Sequence, residues 1–322
     1  MSNAVGIVWN PSKTSKDELH TALDEALEPT APREVLWFET AEDDPGRGAA
    51  STAVEQGCGL VIAAGGDGTV RAVAEVLGES GSPKAALGIV PLGTGNLLAR
   101  NLGVPLGNPR AAFELALQSE GSPLDLGMVE FTTAEGSTEK LGFVVMVGFG
   151  IDAQMIVETD DELKAKAGWL AYVESLGRAA TGTEVVEFAL TQDGGETVQE
   201  QAHTMLVANC GSIQGGITLL PDAQPDDGEL DLLLLRADGA AAWLDTMRNI
   251  AWDNGLKRIF SRKDPAEGAG SAESSESTSH LRARRVHVDL PTPLAFEVDG
   301  DDVGEVRSFE VTILPGALHV CV

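Results

Sequence analysis

Basic residues are scarce in this sequence. Lysine and arginine together number 22, against 50 aspartates and glutamates among 322 residues, and the formal net charge is −28. A surface of this sign repels the phosphate backbone of DNA and RNA, which argues against a nucleic-acid partner. It also disfavours non-specific adhesion to anionic lipid. An adaptation for solubility would explain the acidic excess without any partner.

Cysteine is also rare, and no C-x-x-C pair is present. Cys58, Cys210 and Cys321 indicate reduced thiols in a cytoplasm rather than a disulfide framework. No apolar stretch approaches the roughly 20 residues that span a bilayer, and the first residues lack the basic and apolar regions of a signal peptide. We therefore expect a cytoplasmic protein without a transmembrane segment, which can still contact a membrane peripherally.

The signatures of several enzyme classes are missing. No G-x-x-x-x-G-K-[ST] segment marks a Walker-A loop. None of the five histidines belongs to an H-E-x-x-H motif or forms a close pair with cysteine. No Ser-His-Asp constellation stands out. The chemistry of this chain must therefore come from other residues.

The first third of the chain alternates short apolar runs with amphipathic segments. Strands are expected at 5–9, 34–38, 60–64 and 86–90, and helices at 15–27, 48–57, 70–78, 96–103 and 109–118. Strands that alternate with helices predict a mostly parallel sheet with helices on both faces. We assign residues 1–122 to this α/β domain.

Strands follow one another from about residue 123 onwards. The apolar segments DLGMVEF, LGFVVMVGFGI, EVVEFAL, HTMLVANC, ELDLLLL, RRVHVDL, LAFEV and FEVTIL are joined mainly by turns that contain glycine, aspartate and proline. This pattern predicts a predominantly antiparallel β domain over 123–305, and residues from about 306 to 322 are candidates to return to the first domain. Helical interruptions are expected at about 161–180 and 240–259, and the polar stretch 264–279 is expected to be a mobile insertion.

Two glycine-rich loops each lie between a predicted strand and a predicted helix. GGDGTV spans 65–70, and PLGTGN spans 91–96. In a parallel sheet both loops leave the same carboxyl edge, where ligands bind. Without Cβ atoms, the backbone N–H groups of such loops can approach phosphate oxygens, and the helix behind each loop adds a positive dipole end. A lone loop of this kind is as often a tight turn, but two in matching positions favour a phosphate cradle.

Asp67 is the one carboxylate among these glycines. A carboxylate repels phosphate directly, but it can hold an Mg²⁺ ion that bridges phosphate oxygens. Because the chain has no P-loop lysine, the phosphate charge has to be met by metal, backbone or another side chain.

These loops and several further segments resemble the diacylglycerol kinase catalytic-domain superfamily, which includes bacterial diacylglycerol kinase-like and sphingosine kinase-like lipid kinases. GGDG alone also occurs in NAD kinases and phosphofructokinases, so the combination carries the resemblance. The further matching segments are Asn10-Pro11, Thr40, LDLG at 124–127, VGFGIDA at 147–153, QGGITLLPDAQPDDGELD at 214–231 and VDGD at 298–301.

The resemblance implies an α/β nucleotide domain followed by a β-sandwich domain, with ATP and a lipid meeting in the cleft between them. The implied activity is ATP-dependent phosphorylation of a lipid hydroxyl at a membrane surface, with Mg²⁺ as the metal and diacylglycerol or a related long-chain alcohol as the acceptor. The implied nucleotide contacts are Asn10, Pro11, Ser12, Lys13, Thr14, Thr40, Gly65, Gly66, Asp67, Gly68, Thr69, Val70, Thr94, Gly95 and Asn96.

The resemblance also implies roles for carboxylates outside the first loop. Asp125 would join Asp67 in a metal network, and Asp299 or Asp301 would accept the hydroxyl proton. From the pattern alone, the acidic turn near residue 227 is more often a solvated bend than a metal site. The resemblance makes it a structural Mg²⁺ site formed by Gln224, Asp227 and Glu229.

Two departures from the family pattern leave alternatives open. The family usually has N-P-x-x-G, but here the stretch is NPSKTS, with Thr14 in the glycine position. Either Lys13 supplies charge there or the loop is remodelled. The usual Asp-Gly-Glu is Asp-Gly-Asp here, with Asp301 in the glutamate position. The base is therefore open between Asp299 and Asp301.

Basic residues are concentrated only beside the polar insertion. They form either a solvent-exposed rim without a partner or a patch that faces a membrane. These residues are Arg258, Arg262, Lys263, Arg282, Arg284 and Arg285.

Two other functions compete with the lipid kinase: another kinase of this superfold, such as an NAD kinase, and a non-catalytic protein that binds lipid or nucleotide. The sequence also leaves open whether the chain forms a homodimer and which lipid is the acceptor.

Overall fold

The computed structural model describes residues 4–27, 34–150, 185–213, 217–236 and 278–322. The helical interruptions expected at about 161–180 and 240–259 lie outside these residues, as does the expected insertion up to residue 277. Thr278 and Ser279 were expected to belong to that insertion, but they begin a strand. Their place is decided by pairing with an apolar strand, which composition alone does not reveal.

The first domain alternates strands and helices as expected. Its elements are β1 Val5–Trp9, α1 Lys16–Ala26, β2 Val35–Glu39, α2 Arg47–Glu55, β3 Leu60–Gly65, α3 Asp67–Gly78, β4 Ala86–Pro91, α4 Leu97–Asn101 and α5 Pro109–Gln118. The four strands are parallel and lie in the order β4-β3-β1-β2. Helices cover the sheet, and the near-continuous apolar runs of β1 and β3 are buried along their whole length.

Local sequence signals fix where several helices begin. Ser15 precedes α1 and accepts a hydrogen bond from the N–H of Glu18, and the Glu18 side chain returns to the Ser15 backbone in a capping box. Asn108 caps α5 through Ala111, and Pro109 occupies the first turn of that helix. These helix starts therefore follow from local sequence.

The second domain is built from antiparallel strands. They are β5 Ser122–Thr133, β6 Thr138–Phe143, β7 Met146–Phe149, β8 Val186–Gln192, β9 Val198–Ala202, β10 Thr204–Ala208, β11 Ser212–Ile213, β12 Ile217–Thr218, β13 Leu230–Leu235, β14 Thr278–Ala283, β15 Arg285–Val298 and β16 Asp301–Val320. The fold class is thereby confirmed: parallel strands in the first domain and antiparallel strands in the second.

In two places the structure divides the predicted apolar strands differently. The apolar run LGFVVMVGFGI is divided into β6 and β7, because the N–H groups of Val144 and Val145 donate to the carboxylate of Asp299. Conversely, RRVHVDL and LAFEV belong to one strand, β15, whose pairing with β16 is interrupted between Asp289 and Leu294. In both places a contact with a distant part of the chain overrides the local pattern.

One long strand connects the two domains. β16 pairs antiparallel with β15 and β5, and at Val320 it pairs in parallel with Leu87 of β4. The sheet of the first domain therefore continues into the strands of the second. In the second domain, the rings of Phe296 and Phe309 lie 4.7 Å apart in an apolar core of their own. Within the described ranges, no helix is long and apolar enough to cross a membrane.

Candidate active site

The two glycine loops touch each other at the carboxyl edge of β3 and β4. A Cβ atom on Gly93 would lie 2.7 Å from the Cα of Gly66, and a Cβ atom on Gly95 would lie 2.7 Å from Oδ2 of Asp67. Real Cβ atoms do not come this close to other atoms, so a side chain on Gly93 would force the loop backbones apart, and one on Gly95 would displace the carboxylate of Asp67. The glycines therefore permit direct contact between the loop backbones.

Asn96 holds the second loop in shape. Its backbone adopts a left-handed conformation with φ of 48°. Its Oδ1 accepts from the N–H of Gly93 at 2.9 Å, and its Nδ2 donates to the Gly93 carbonyl at 2.7 Å. Arg100 adds a hydrogen bond from Nε to the Gly95 carbonyl at 2.6 Å. Thr94 is exposed between these fixed points, where a ligand can reach it.

Asp67 connects the first loop to the second. It is the first residue of α3, and its carboxylate accepts from the N–H of Asn96 at 2.7 Å and from the N–H of Leu97 at 2.5 Å. Burial raises the pKa of Asp67, the two hydrogen bonds oppose that effect, and the nearby charge of Asp301 adds to it. Each carboxylate oxygen accepts one of these bonds and keeps a second lone pair, so the group retains the capacity to ligate Mg²⁺.

The altered NPSKTS loop is folded onto the start of α1. Oδ1 of Asn10 accepts from the N–H and the hydroxyl of Ser12 at 2.9 and 2.7 Å. The hydroxyl of Thr14, which stands in the glycine position, donates to Glu18 at 2.7 Å. Lys13 is exposed, and its Cε lies 4.0 Å from the Cβ position of Gly66. This lysine can therefore bring positive charge to the first glycine loop.

Three residues expected to contact nucleotide are buried. Thr40 is buried and donates its N–H to the Trp9 carbonyl at 3.0 Å. Thr69 supports Gly65, where a Cβ atom would lie only 2.6 Å from the Thr69 side chain. The side chain of Val70 belongs to the apolar core, and its N–H donates to the Gly66 carbonyl. Thr69 and Val70 therefore support the first glycine loop, whereas Thr40 lies at the end of β2. Pro11 and Ser12 are exposed.

A carboxylate from the second domain reaches the first loop. Oδ2 of Asp301, the first residue of β16, lies 3.4 Å from the Cβ position of Gly68 and 2.8 Å from Nη2 of Arg71. The ion pair joins residues 230 positions apart in the sequence. Arg71 was not among the residues predicted from the sequence. A signal was available, because Arg71 follows Asp67 by four positions and therefore lies on the same face of α3.

Asp299 lies in a very different environment from Asp301. It is 3% exposed, has φ of 51°, and accepts hydrogen bonds from the N–H groups of Val144, Val145 and Met146 at 2.8 to 2.9 Å. Burial raises the pKa of Asp299 to about 6, against the opposing effects of these hydrogen bonds and of the Arg71 charge. Asp299 is thus a buried connection between the turn before β16 and the segment between β6 and β7.

Asp125 is grouped with the acidic turn of the second domain. Its oxygens accept from the N–H groups of Gly228 and Gly316, each at 2.6 Å, and its own N–H donates to the Pro225 carbonyl at 2.8 Å. Burial raises the pKa of Asp125, the two hydrogen bonds oppose this, and the negative charge of Asp227 adds to it. The contacts of Asp67 are instead with Asn96 and Leu97, so the two aspartates serve different parts of the structure.

A guanidinium group faces the carboxylates that were expected to hold a structural Mg²⁺ ion. Nη1 of Arg282 lies 3.7 Å from Oδ2 of Asp227 and 3.6 Å from Oε2 of Glu229, and Nε lies 3.0 Å from Oδ1 of Asp231. Gln224 is exposed beside them. Throughout the part of the chain that the structure describes, no group of three or more His, Cys, Asp or Glu residues is arranged to hold a metal. Arg282 therefore balances the charge of these carboxylates from within the chain, and the Mg²⁺ site expected at this turn stays a prediction.

The same contacts change the interpretation of the basic patch. Arg282 is directed to the acidic turn, and Arg285 makes a bidentate ion pair with Glu310, both bonds being 2.8 Å long. Two of the three arginines that follow the insertion are therefore neutralised by carboxylates. Arg284 is exposed. The basic residues at 258, 262 and 263 lie outside the described residues.

Comparisons with known proteins agree with this architecture. The family profile of the diacylglycerol kinase catalytic domain matches residues 4–129, and that of the YegS C-terminal NAD kinase beta sandwich-like domain matches residues 145–322. This chain belongs to the diacylglycerol kinase catalytic-domain superfamily. Family membership supports a kinase that uses ATP.

Individual relatives of this superfamily match most of the chain. A "Diacylglycerol kinase" of Mycobacterium tuberculosis is 27% identical over 270 residues, which are 84% of this chain and 79% of that protein. A "Probable lipid kinase YegS-like" of Pseudomonas aeruginosa is 29% identical over 317 residues, which are 98% and 92% of the two chains. The crystal structure of a diacylglycerol kinase from Bacillus anthracis has the same fold, with a TM-score of 0.66 at 21% identity, covering 99% of this chain and 96% of that one.

Proposed function

We propose that this protein is an ATP-dependent lipid kinase that transfers the γ-phosphate of ATP to a lipid hydroxyl, with diacylglycerol or a related long-chain alcohol as the acceptor. One observation carries the proposal: Asp301 of the second domain lies against Gly68 in the glycine loop of the first. A carboxylate of the second domain thereby lies beside a glycine-rich loop of the first domain, of the kind that binds phosphate. The relatives named as diacylglycerol and lipid kinases support a lipid as the acceptor.

The nucleotide phosphates would bind where the two glycine loops meet. Backbone N–H groups at the loop surface and the start of α3 favour anions, and Lys13 adds a mobile positive charge. Asp67 keeps lone pairs for an Mg²⁺ ion that accompanies ATP. Bound Mg²⁺ would supply neutralisation of the phosphate charge. The other nucleotide contacts would be made by Asn10, Thr40 and Thr94 around the loops.

We assign the acceptance of the hydroxyl proton to Asp301 and a positioning role to Asp299. A general base has to come within hydrogen-bond reach of the proton it removes. The Asp301 side chain is 49% exposed beside the loop, which supports access by a lipid hydroxyl. Asp299 is buried and accepts three backbone hydrogen bonds, which supports a role in fixing the turn that carries Asp301.

A lipid acceptor has to be taken from a membrane surface. We therefore propose that the protein is cytoplasmic and contacts the membrane peripherally. Because carboxylates neutralise Arg282 and Arg285, this contact would depend little on those two residues. Reversing the charge of Arg285 should then affect activity on vesicles no more than activity on lipid dispersed in detergent.

Labelled ATP incubated with the protein and a total lipid extract from the source organism tests the proposal. We expect one or a few labelled lipids, which mass spectrometry can identify, and at least about 10²-fold slower labelling in reactions with Asp301→Asn. Label in NADP when NAD is supplied, with none in lipid, would show an NAD kinase instead. ATP binding without label in any acceptor would show a non-catalytic binding protein.

A further inference from the structure

We propose that Arg71 is a positioning residue for phosphoryl transfer, because its guanidinium holds Asp301 over the glycine loop. This inference rests on the proposed function. It assigns a task to a residue that neither the glycine motifs nor the aspartates of the VDGD segment include. Arg71 acts through Asp301 and is not itself assigned a contact with the reacting atoms.

The ion pair joins a fixed group to an exposed one. Arg71 projects from α3, the helix that begins at Asp67, and its side chain is only 12% exposed. Asp301 is 49% exposed and follows Gly300, which has φ of 85°. A buried guanidinium on a helix can therefore restrain a carboxylate at the edge of a turn. The 2.8 Å distance between Nη2 and Oδ2 is that of a direct charge-assisted hydrogen bond.

The turn that carries Asp301 has two attachments. Asp299 fixes its buried side through the N–H groups of residues 144–146. Arg71 fixes its exposed side from the other domain. With both in place, the carboxylate of Asp301 stays beside Gly68. The pairing of β15 with β16 also holds the backbone here, at Val298 and Asp301. Without Arg71, the exposed side chain of Asp301 would lose its ion pair, and its carboxylate would be free to leave the loop.

Charge gives a second reason for this arrangement. The negative charge of Asp301 raises the pKa of Asp67, and the positive charge of Arg71 lowers the pKa of Asp299. The three carboxylates and the guanidinium therefore form one electrostatic group. Arg71 is the partly buried cation within it. Lys13 lies on the far side of the loop, near Gly66. Removal of Arg71 would leave Asp301 repelled by neighbouring carboxylates.

One feature of Arg71 points to a rival role. Its Nε is buried and has no hydrogen-bond partner among the described residues, so this N–H donor is unsatisfied. Direct binding of a nucleotide phosphate would use such a donor. The two roles differ in their kinetic consequences. A residue that acts through Asp301 changes kcat in a way that depends on Asp301, whereas a phosphate ligand changes the KM for ATP independently of it.

A double-mutant cycle with Arg71→Met, Asp301→Asn and the double variant separates these roles. The assay uses a short-chain diacylglycerol in detergent micelles. We expect Arg71→Met to lower kcat by about 10²-fold, the scale of a small misplacement, with the KM for ATP changed less than about twofold. The double variant should be no slower than Asp301→Asn alone, and Arg71→Lys should recover part of the loss. Additive losses, or a tenfold rise in the KM for ATP at unchanged kcat, would overturn the proposal.

Arg47→Met is the matched control. Arg47 also pairs with carboxylates near α3, namely Glu75 and Glu79, but it lies away from Asp301. We expect this variant to lower the melting temperature and to keep kcat, so a loss of kcat equal to that of Arg71→Met would count against a specific role.

Amide exchange gives a readout that does not require turnover. In Arg71→Met the N–H groups of residues 301–304 should exchange faster than in the parent and in Arg47→Met. Unchanged exchange would overturn the restraint itself. If the parent phosphorylates no lipid but Arg71→Met still accelerates exchange, the proposed function fails while the restraint stands.

Discussion

Asn101 pairs with the backbone of Ser212 through both ends of its side-chain amide. Nδ2 donates to the Ser212 carbonyl at 2.8 Å, and Oδ1 accepts from the Ser212 N–H at 3.1 Å. Asn101 ends α4, the helix behind the second glycine loop, whereas Ser212 begins β11 in the second domain. The Asn101 amide thus makes the pair of hydrogen bonds that the backbone of a neighbouring strand would make. It attaches α4 of the first domain to β11 of the second.

Asn101→Asp should destabilise the protein, because a carboxylate oxygen would replace the donor that faces the Ser212 carbonyl. We expect a loss of about 1–3 kcal/mol in the free energy of unfolding, the usual range for an unsatisfied buried group. Chemical denaturation measures it. Asn108→Asp is the control, because Asn108 only accepts a hydrogen bond at the start of α5, where aspartate serves equally well. Equal losses in both variants would contradict this account.

Asp67→Asn should weaken the binding of Mg·ATP and abolish turnover. The substitution removes the proposed Mg²⁺ ligand and turns an amide NH₂ toward one of the N–H groups of Asn96 and Leu97. Calorimetry with Mg·ATP checks the affinity. Asp44→Asn is a matched control, because Asp44 also accepts backbone hydrogen bonds at a helix start, from Gly46 and Gly48. Normal nucleotide affinity in Asp67→Asn would show that the loop binds phosphate without this carboxylate.

Asp301→Asn should lower kcat, whereas Asp299→Asn should lower the thermal stability. Asp301→Asn removes the assigned base and keeps the shape, so kcat should fall by roughly 10²–10⁴-fold while the affinity for ATP and the melting temperature are retained. Asp299→Asn should lower the melting temperature, since an amide cannot accept the three backbone hydrogen bonds of the carboxylate. Full turnover in Asp301→Asn, with loss of turnover in a stably folded Asp299→Asn, would reverse the assignment.

The titration of Asp299 should appear in the pH dependence of stability. Its pKa is raised from 3.8 to about 6 by burial, so the folded state binds more protons than the unfolded state between these values. The contribution of Asp299 to the free energy of unfolding is therefore fully present at low pH. It falls by on the order of 3 kcal/mol as the pH rises toward 6. Urea unfolding of the parent and Asp299→Asn below and above pH 6 checks this. An identical pH dependence in both proteins would refute it.

Mg²⁺ should not stabilise the parent through the acidic turn, because Arg282 already faces Asp227, Glu229 and Asp231. Arg282→Met should lower the melting temperature by leaving the carboxylates unbalanced, and added Mg²⁺ should restore part of the loss. Arg285→Met, which removes an exposed pair with Glu310, should change stability little. If Mg²⁺ stabilises the parent and Asp227→Asn abolishes that gain, the turn is a metal site after all.

The sequence by itself determined the elements whose causes are local. The apolar run of β3, the capping box at Ser15 and Glu18, and the glycine loops were all readable, and together they predicted the parallel sheet and the carboxyl-edge site. These features depend on neighbouring residues and on the rule that parallel strands end at one edge. The polar strand β9, VQEQA, was missed because an edge strand needs no apolar pattern.

Only the tertiary structure decided which distant groups meet. Asp299 interrupts a predicted strand because its carboxylate takes the N–H groups of Val144 and Val145. Arg71 meets Asp301 across 230 positions of the sequence. Arg282 faces Asp227 and Glu229 from a strand more than 50 positions further along the chain. Such contacts depend on the path of the chain, above all on β16, which crosses from the second domain to pair with β4. Local propensity carries no information about that path, so it could not predict which charges would balance one another.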